Sequence, residues 1–370
     1  MRIALFIDSL TSGGAQRQFC WLARLLQEAG SSVQVLVYYP HDFFRSHLED
    51  ELGILVHQIE WNSQLERFRK VRRHMKAQKP DVVISFLHVP NMLSEICRIS
   101  LLSNFKLIVS ERNHDVEDPN PRVWARLLSH HTADAVVANS HAQSGFLSRH
   151  AQWLKDRVSV ITNCVDLEYF KPEPAFESSS HSTLRMAMIG RFVEQKNGLA
   201  LADGLALYEA RRGTLPQIKI EWYGSDPARE SGIKTGIVQA IDRHQLQKVF
   251  FLNEPTKDVR SIYNQVDCLC LASLHEGCAN VICEAMACGL PVLASRAGDN
   301  DYLVKDGVNG LLLEGTTAEA IADGFERFAK LSSQALQEMG LASRLRAEGL
   351  LSPRRFGEEW LGLIDQVFGE

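Results

Sequence analysis

The sequence predicts an α/β protein built from two Rossmann-like domains in series. Short apolar or β-branched runs alternate with amphipathic stretches, a pattern typical of βαβ units that form a parallel sheet. The pattern restarts once, after a polar segment near the middle of the chain. A chain of 370 residues is also too long for one ordinary core and suits two domains of roughly 150–200 residues each.

The first domain is predicted over residues 1–171. Its first strand is followed by a Gly-Gly turn and then by a helical pattern from Ala15 to Ala29. The strand candidates of this domain are short and apolar or β-branched: Ile3–Ile7, Val33–Tyr38, Val82–Phe86, Lys106–Ser110 and Ala135–Ala138. Strands separated by helical segments in this way predict a parallel sheet with both faces covered.

The second domain is predicted over residues 184–352, after a Pro- and Ser-containing linker at residues 172–183. Its strand candidates are Arg185–Ile189, Lys219–Trp222, Val249–Leu252, Cys268–Leu271, Pro291–Ala294 and Gly310–Leu313. Residues 353–370 place apolar side chains near helical spacing. We expect a C-terminal helix there, which either closes the second domain or crosses back to the first.

Composition narrows the class of protein. Hydrophobic residues make up 45% of the chain and charged residues 23%, as in ordinary soluble proteins, and the net charge of −5 gives no reason to expect general nucleic-acid binding. The eight cysteines form no CxxC pair and no metal-ligand spacing, which indicates reduced thiols in a cytoplasmic protein. No apolar run approaches the roughly 20 residues that span a bilayer, so any membrane contact is expected to be peripheral.

The turn after the first strand contains Gly13 and Gly14. Glycines at a strand-to-helix turn let the backbone approach a phosphate, and the following helix N-terminus favours negative charge. A Gly-Gly turn by itself is more often only a turn. The GxGxxG spacing is absent, which argues against a nicotinamide-dependent dehydrogenase.

Two cations, Arg191 and Lys196, follow the first strand of the second domain. Ligands of open α/β sheets bind at the carboxyl ends of strands. A rigid guanidinium and a flexible ammonium at this position can neutralise a leaving diphosphate. Taken alone, the stretch favours the alternative of two solvated loop cations.

The most informative run extends from Ser273 to Val292 and predicts a loop, a helix, a glycine stop and the next strand. It places Glu276 in the loop and Glu284 inside the helix. The backbone N–H groups of residues 277–281 then form an anion site at the helix N-terminus. Glu276 can accept hydrogen bonds from sugar hydroxyls and Glu284 from a ribose diol. The alternative is a capping acid followed by an exposed helix acid.

These motifs resemble, in order and approximate spacing, those of the retaining glycosyltransferases with the GT-B fold, of the group 1 and family 4 type. The spacing of Glu276 and Glu284 is similar to the E-x7-E signature of that family. The Gly-Gly turn, the Gly-Arg…Lys element and the stretches 160–170 and 299–310 also match. The resemblance covers nearly the whole chain, and it implies two Rossmann-like parallel-sheet domains facing across a cleft.

The resemblance implies a role for each matching residue. The implied donor-binding residues are Gly14, Arg191, Lys196, Gly277, Asn280, Val281 and Glu284. Glu276 is expected to contact the transferred sugar. His88 lies near the active-site histidine of the family, and a merely solvated loop histidine is the alternative.

The Ser110-Glu111-Arg112-Asn113 element is similar to one in transferases that extend lipid-pyrophosphate-linked oligosaccharides, often with N-acetylhexosamine donors. It implies that Arg112 and Asn113 bind the acceptor. A structural network between Glu111 and Arg112 is the alternative.

The implied reaction moves a hexose or N-acetylhexosamine from a nucleotide-sugar, a UDP-sugar in our interpretation, to a lipid-linked or polysaccharide glycan in lipopolysaccharide or exopolysaccharide biosynthesis. The nucleotide-sugar is a co-substrate, and no cofactor or metal ion is expected. The alternatives are a nucleotide-sugar 2-epimerase of the same fold, a GDP-sugar-dependent mannosyltransferase, and a sugar-nucleotide binder without activity.

A basic amphipathic segment at residues 64–79 carries seven Lys or Arg residues and one acid. Such a helix can hold a protein against anionic lipid. We therefore expect a cytoplasmic protein that is peripheral on the inner face of the cytoplasmic membrane. The alternative is a solvated outer helix before the strand at Val82.

Overall fold

The computed structural model describes residues 1–101, 105–112, 119–173, 183–227 and 232–369. The predicted acceptor residue Asn113 and most of the predicted linker lie outside these ranges. The chain divides into two compact units. The first comprises Met1–Cys164 and the residues from Pro353 onward, and the second comprises Val165–Ser352.

The first unit contains a parallel sheet with seven strands in its described residues. The strands are β1 Arg2–Phe6, β2 Ser32–Val37, β3 Leu55–Gln58, β4 Val82–Phe86, β5 Lys106–Glu111, β6 Ala135–Ala138 and β7 Val158–Val160. Their order is β3-β2-β1-β4-β5-β6-β7. The chain moves outward from β1 to β3 and then crosses back to β4, so the point where strand order reverses lies between β1 and β4.

Helices cover both faces of this sheet. They are α1 Gly14–Glu28, α2 Gln64–Gln78, α3 His88–Leu101, α4 Pro121–Ser129 and α5 His141–His150, with short helical turns at His47–Glu51, His130–Thr132 and Gln152–Leu154. Alternate residues of β1 enter different cores, since Ile3 and Leu5 pack in one and Ala4 and Phe6 in the other. Burial on both faces explains why the central strands are continuous apolar runs.

The second unit contains a parallel sheet with six strands in its described residues. The strands are β8 Thr183–Ile189, β9 Gln217–Tyr223, β10 Phe250–Asn253, β11 Cys268–Leu271, β12 Val292–Ala294 and β13 Gly310–Leu312. Their order is β10-β9-β8-β11-β12-β13. Strand order therefore reverses between β8 and β11, and the loops that follow these two strands meet at that point.

The helices of the second unit and the last helix of the chain complete the fold. They are α6 Gly198–Arg211, α7 Gly232–Arg243, α8 Val259–Tyr263, α9 Asn280–Ala287, α10 Asn300–Leu303, α11 Ala318–Ala329, α12 Ser333–Leu350 and α13 Pro353–Gly369, with a 3-10 turn at Glu194–Lys196.

The C-terminal helix α13 packs in the first unit, beside α1. Phe356, Trp360 and Ile364 recur at helical spacing and enter the same core as β1 and β4. The Trp360 ring stacks on Phe86 at a centroid distance of 5.8 Å. The last residues of the chain thus belong to the core of the first sheet.

Two described strands, β3 and β7, are missing from the sequence prediction. Both lie at the edges of the first sheet. Leu55 in β3 is 58% exposed, and all three residues of β7 are only half-buried. Edge strands pair on one side only, so their sequences lack the continuous apolar run that identifies central strands.

Candidate functional site

The loop after β8 is shaped around the side chain of Lys196. Gly190 has a φ of +147°, and a β-carbon there would lie 3.0 Å from Cε of Lys196. The carbonyl oxygen of Gly190 accepts a hydrogen bond of 2.8 Å from the indole N–H of the buried Trp222. Glycine at this position therefore leaves room for the aliphatic part of Lys196 to lie across the end of the strand.

Three hydrogen bonds that amide groups donate join this loop to the loop after β11. The N–H of Leu274 donates to the carbonyl of Gln195 at 2.8 Å, and the amide Nε2 of Gln195 donates to the carbonyl of His275 at 2.7 Å. The side-chain amide of Asn197 donates to the carbonyl of Ala272 at 3.2 Å. The two loops that meet where strand order reverses are thus held in register with each other.

Lys196 and Glu276 form an ion pair between these two loops. The distance from Lys196 Nζ to Glu276 Oε1 is 2.6 Å, and the side chains are only 13% and 10% exposed. The sequence placed these residues in one site but predicted different partners for them, a diphosphate and a sugar. Their direct contact means that an anionic ligand near Lys196 must share its ammonium with Glu276.

Arg191, in contrast, points to solvent. The Arg191 side chain is exposed, and its guanidinium has no hydrogen bond or ion pair within the described ranges. It precedes the 3-10 turn that contains Lys196. A cation without an internal partner at the carboxyl end of a central strand can pair with a phosphate at little cost in lost contacts.

The N-terminus of α9 lies directly after the Glu276 loop. Ala279 is its N-cap and provides no side-chain cap, and the helix begins at Asn280. The helix dipole places partial positive charge at this end. The predicted donor residues Gly277, Asn280 and Val281 therefore lie at a helix end suited to an anion.

Glu284 lies one turn further along α9 and is only 5% exposed. Its Oε2 accepts a hydrogen bond of 3.0 Å from the hydroxyl of the buried Tyr263. The interpretation of Glu284 as an exposed helix acid is therefore wrong. A carboxylate oriented by a buried tyrosine is a fixed acceptor rather than a mobile surface charge.

Gly298, which the sequence did not single out, presses the loop after β12 against the Glu276 loop. Its φ is +58°, and a β-carbon there would lie 2.1 Å from the carbonyl oxygen of Glu276 and 2.5 Å from that of Gly277. The N–H of Asp299 donates to the carbonyl of Gly277 at 3.0 Å. The sequence motif at residues 299–310 indicated that this loop is part of the site. The structure adds that the loop packs against the backbone of Glu276 and Gly277.

The remaining predicted residues lie in the first unit, at the carboxyl ends of its strands. Gly14 is exposed at the start of α1, after β1. His88 begins α3, after β4, and its side chain is 40% exposed. Both lie at loops that flank the reversal of strand order between β1 and β4.

Arg112, the predicted acceptor-binding residue, is buried in the first unit. Its Nη2 donates to Oδ1 of Asn163 at 2.6 Å, and its guanidinium lies 4.8 Å from the centroid of the Phe86 ring. The predicted Glu111–Arg112 network takes a different form, because Glu111 turns toward His88, Arg126 and His130 instead. Arg112 supports the strand ends from within the unit.

Within the described part of the chain, no three His, Cys, Asp or Glu side chains are grouped so that they could hold a metal ion. None of the described helices combines the length and apolarity needed to cross a membrane.

Replacing Gly298 with Ala should destabilise the second unit, because the new methyl group would overlap two carbonyl oxygens and the positive φ disfavours alanine by roughly 1 kcal/mol. Gly213→Ala is the matched control, since Gly213 also has a positive φ, +54°, but faces open space. Thermal unfolding of both variants tests the close contact. Equal midpoints for the two variants would show that the loop does not press on Glu276.

Two family models match successive parts of the chain. Residues 12–169 match Glycosyltransferase Family 4, and residues 183–330 match Glycosyl transferases group 1. The chain is 26% identical over 381 residues to the GalNAc-alpha-(1->4)-GalNAc-alpha-(1->3)-diNAcBac-PP-undecaprenol alpha-1,4-N-acetyl-D-galactosaminyltransferase of Campylobacter jejuni, with 99% of each chain covered. It is 24% identical over 371 residues to a D-inositol 3-phosphate glycosyltransferase of Pseudarthrobacter chlorophenolicus, with 91% of this chain and 86% of the relative covered.

Among solved structures, the chain is similar to Anabaena Alr3699/HepE in complex with UDP, with a TM-score of 0.83, 20% identity and coverage of 99% of this chain and 100% of the other. This likeness and the two parallel sheets confirm the predicted fold class, two Rossmann-like domains of the GT-B type. With a family 4 domain in its first half and a group 1 domain in its second, the chain belongs to the GT-B glycosyltransferases.

Proposed function

We propose that the protein is a retaining glycosyltransferase that moves a hexose or N-acetylhexosamine from a UDP-sugar to a lipid-linked glycan. The observation that carries the proposal is the grouping of Arg191, the Lys196–Glu276 pair and the N-terminus of α9 where strand order reverses in the second sheet. Two relatives support the finer points: the Campylobacter jejuni enzyme is named for an undecaprenol-linked acceptor, and the Anabaena protein holds UDP.

In this proposal the departing diphosphate is the group that the site stabilises. Arg191 provides a guanidinium without an internal partner in the described ranges, Lys196 an ammonium, and α9 its N-terminal N–H groups. Lys196 is held by Glu276 and the α9 N-terminus is fixed by the fold before the donor binds, so these two groups need little reorganisation to stabilise developing negative charge. Electrostatic preorganisation of this kind is often the largest contribution to catalysis.

Glu276 and Glu284 take different roles. Glu276 shares the Lys196 ammonium with the diphosphate and accepts hydrogen bonds from hydroxyls of the transferred sugar. Glu284, oriented by Tyr263, holds the ribose diol. In the transfer step, the acceptor hydroxyl oxygen bonds to the anomeric carbon on the face that the diphosphate leaves. The bond from that carbon to the diphosphate oxygen breaks, and the hydroxyl proton passes to the departing phosphate.

We also propose that the first unit docks on anionic lipid through α2 and α3, which pack side by side. Three of the predicted cations of α2 are engaged within the unit: Arg67 is buried against Tyr38 and Trp61, Lys70 pairs with Glu66, and Arg72 donates to Ser100. The exposed cations that remain are Arg69, Arg73, Lys76 and Lys79.

The neighbouring helix α3 adds an apolar surface to these cations. Its exposed apolar side chains are Val89, Met92, Ile96 and Ile99, which recur along one helical face. Cations beside an exposed apolar stripe are typical of helices that lie at the surface of an anionic bilayer. A lipid-linked acceptor on the inner face of the cytoplasmic membrane would be reached from this position.

Turnover tests the donor site. Glu276→Gln should lower sugar transfer by roughly a hundredfold or more, because the variant loses both the sugar contact and the charge that positions Lys196. The measurement is UDP or GDP released from a panel of UDP- and GDP-sugars, with and without a synthetic undecaprenyl-pyrophosphate-linked N-acetylhexosamine.

Glu254→Gln is the control for this experiment, since the Glu254 side chain is 84% exposed. Wild-type turnover in Glu276→Gln would show that this carboxylate takes no part in sugar transfer. Product formed from donor alone would instead indicate a 2-epimerase, and release from GDP-sugars only would indicate a mannosyltransferase-type donor.

Chelation tests the proposed independence from metal. Because Arg191, Lys196 and the α9 N-terminus stabilise the diphosphate in this proposal, excess EDTA should leave most of the transfer rate intact. A complete loss of transfer that Mg²⁺ or Mn²⁺ restores would overturn it.

Lipid vesicles test the proposed docking surface. Changing Arg69 and Arg73 together to Gln should weaken partitioning onto phosphatidylserine-containing vesicles about 30-fold, given about 1 kcal/mol for each cation near the surface. The control is Arg243→Gln with Lys248→Gln, which removes the same charge from exposed positions in the second unit. Equal partitioning of the wild type onto neutral and anionic vesicles would contradict the proposal.

A further inference from the structure

A chain of buried charged side chains connects the interior of the first unit to His88. Its centre is the imidazole of His130, in the short turn after α4. The Nδ1 atom lies 2.5 Å from Oε1 of Glu95, on α3, and Nε2 lies 2.9 Å from Oε1 of Glu111, at the end of β5. All three side chains are buried. The function proposed above uses none of them.

The two short contacts of His130 favour a doubly protonated ring. Ionised carboxylates only accept hydrogen bonds, so a ring that bonds to a carboxylate at both nitrogens must donate from both and is an imidazolium. Burial lowers the pKa of His130, but the hydrogen bonds that the ring donates to Glu111 and Glu95 outweigh it and raise the pKa to about 9. Burial raises the pKa of Glu111, but the hydrogen bond from His130 and the nearby His88 ring bring that pKa well below its usual value.

Glu111 links His130 to two groups nearer the surface, Arg126 and His88. Its Oε1 lies 3.6 Å from Nε of Arg126, and its Oε2 lies 3.6 Å from Nδ1 of His88. The Nη1 of Arg126 in turn lies 3.2 Å from Nδ1 of His88. The single positive charge of His130 therefore neutralises only part of the negative charge of Glu95 and Glu111. Arg126 and His88 lie near the Glu111 carboxylate, whose charge is not fully neutralised.

The backbone at His88 is also held in an uncommon conformation. Leu87, just before it, has a φ of +75°, a region that leucine rarely adopts. The side chain of Asn91, one turn into α3, donates to the carbonyl of Ser110 at 3.1 Å and accepts from the hydroxyl of Ser85 at 2.8 Å. Strained backbone that the surroundings hold in place is common at functional sites.

We infer that Glu95, His130 and Glu111 are positioning residues that orient the ring of His88 toward the acceptor side of the transfer reaction. The inference rests on the proposed function and deepens it, since it explains how buried side chains orient His88. Loss of the imidazolium would leave two buried carboxylates short of a counter-charge, and Glu111 would then bind a proton. A protonated Glu111 no longer presents a negative charge to His88, whose Nδ1 lies 3.6 Å from Oε2, and the ring loses the attraction that orients it.

A double-mutant cycle distinguishes positioning from general structural support. His88→Gln and His130→Gln should each lower kcat by up to about a hundredfold, the loss expected from a group displaced by about 1 Å, with the KM for the UDP-sugar unchanged. The double variant should be no slower than His88→Gln alone, because both changes remove the same oriented ring. His47→Gln, at a half-exposed helix position of the same unit, is the control. Losses that multiply in the double variant, or wild-type kcat in a folded His130→Gln variant, would overturn the inference.

Nuclear magnetic resonance of 15N-histidine-labelled protein tests the same inference without turnover. The wild type at pH 7.5 should show both ring N–H protons of His130, assigned by their shift in Glu95→Gln. The His88 ring signals should move in that variant as well. A His130 ring with one N–H, or unchanged His88 signals in a folded Glu95→Gln variant, would contradict the chain of contacts. Because neither result needs sugar transfer, failure here is distinct from failure of the proposed function.

Discussion

The ion pair between Lys196 and Glu276 is the contact on which the candidate donor site depends. It joins the loops after β8 and β11 where strand order reverses in the second sheet. Two glycines make it sterically possible, because Gly190 leaves room for the lysine chain and Gly298 lets a third loop reach the Glu276 backbone. Since the pair is largely shielded from water, removal of either charge would leave the other poorly compensated.

In the first unit, charged side chains also lie where strand order reverses, but their arrangement differs from that in the second unit. Its strand order reverses between β1 and β4, and His88 follows β4. At this position the second unit has the Lys196–Glu276 ion pair, whereas the first has a series of charged groups that begins in the core at Glu95 and His130. A ring at the surface that is supported from the interior can be oriented without a ligand, whereas Lys196 must exchange part of its contact with Glu276 when an anion binds.

The central strands and the position of the α9 motif could be predicted from the sequence, because both depend on local patterns. Strands buried on both faces are continuous apolar runs, and the spacing of Glu276 and Glu284 around a helix start follows from helix geometry. The Lys196–Glu276 contact could not be predicted, since it joins residues 80 positions apart. The role of His130 could not be predicted either, because its partners Glu95 and Glu111 lie on α3 and β5, away from it in the sequence. The contacts of Arg112 with Phe86 and Asn163 could not be predicted from the sequence either, since they join distant parts of the chain.

The central claim is that the loops after β8 and β11, with the N-terminus of α9, form the site for the donor diphosphate. The most direct measurement is a crystal structure of the wild-type protein with UDP. The account predicts a diphosphate within hydrogen-bonding distance of Arg191, Lys196 and the first-turn N–H groups of α9, with Glu284 facing the ribose. A well-ordered UDP bound elsewhere on the chain, with Lys196 still paired only to Glu276, would contradict it.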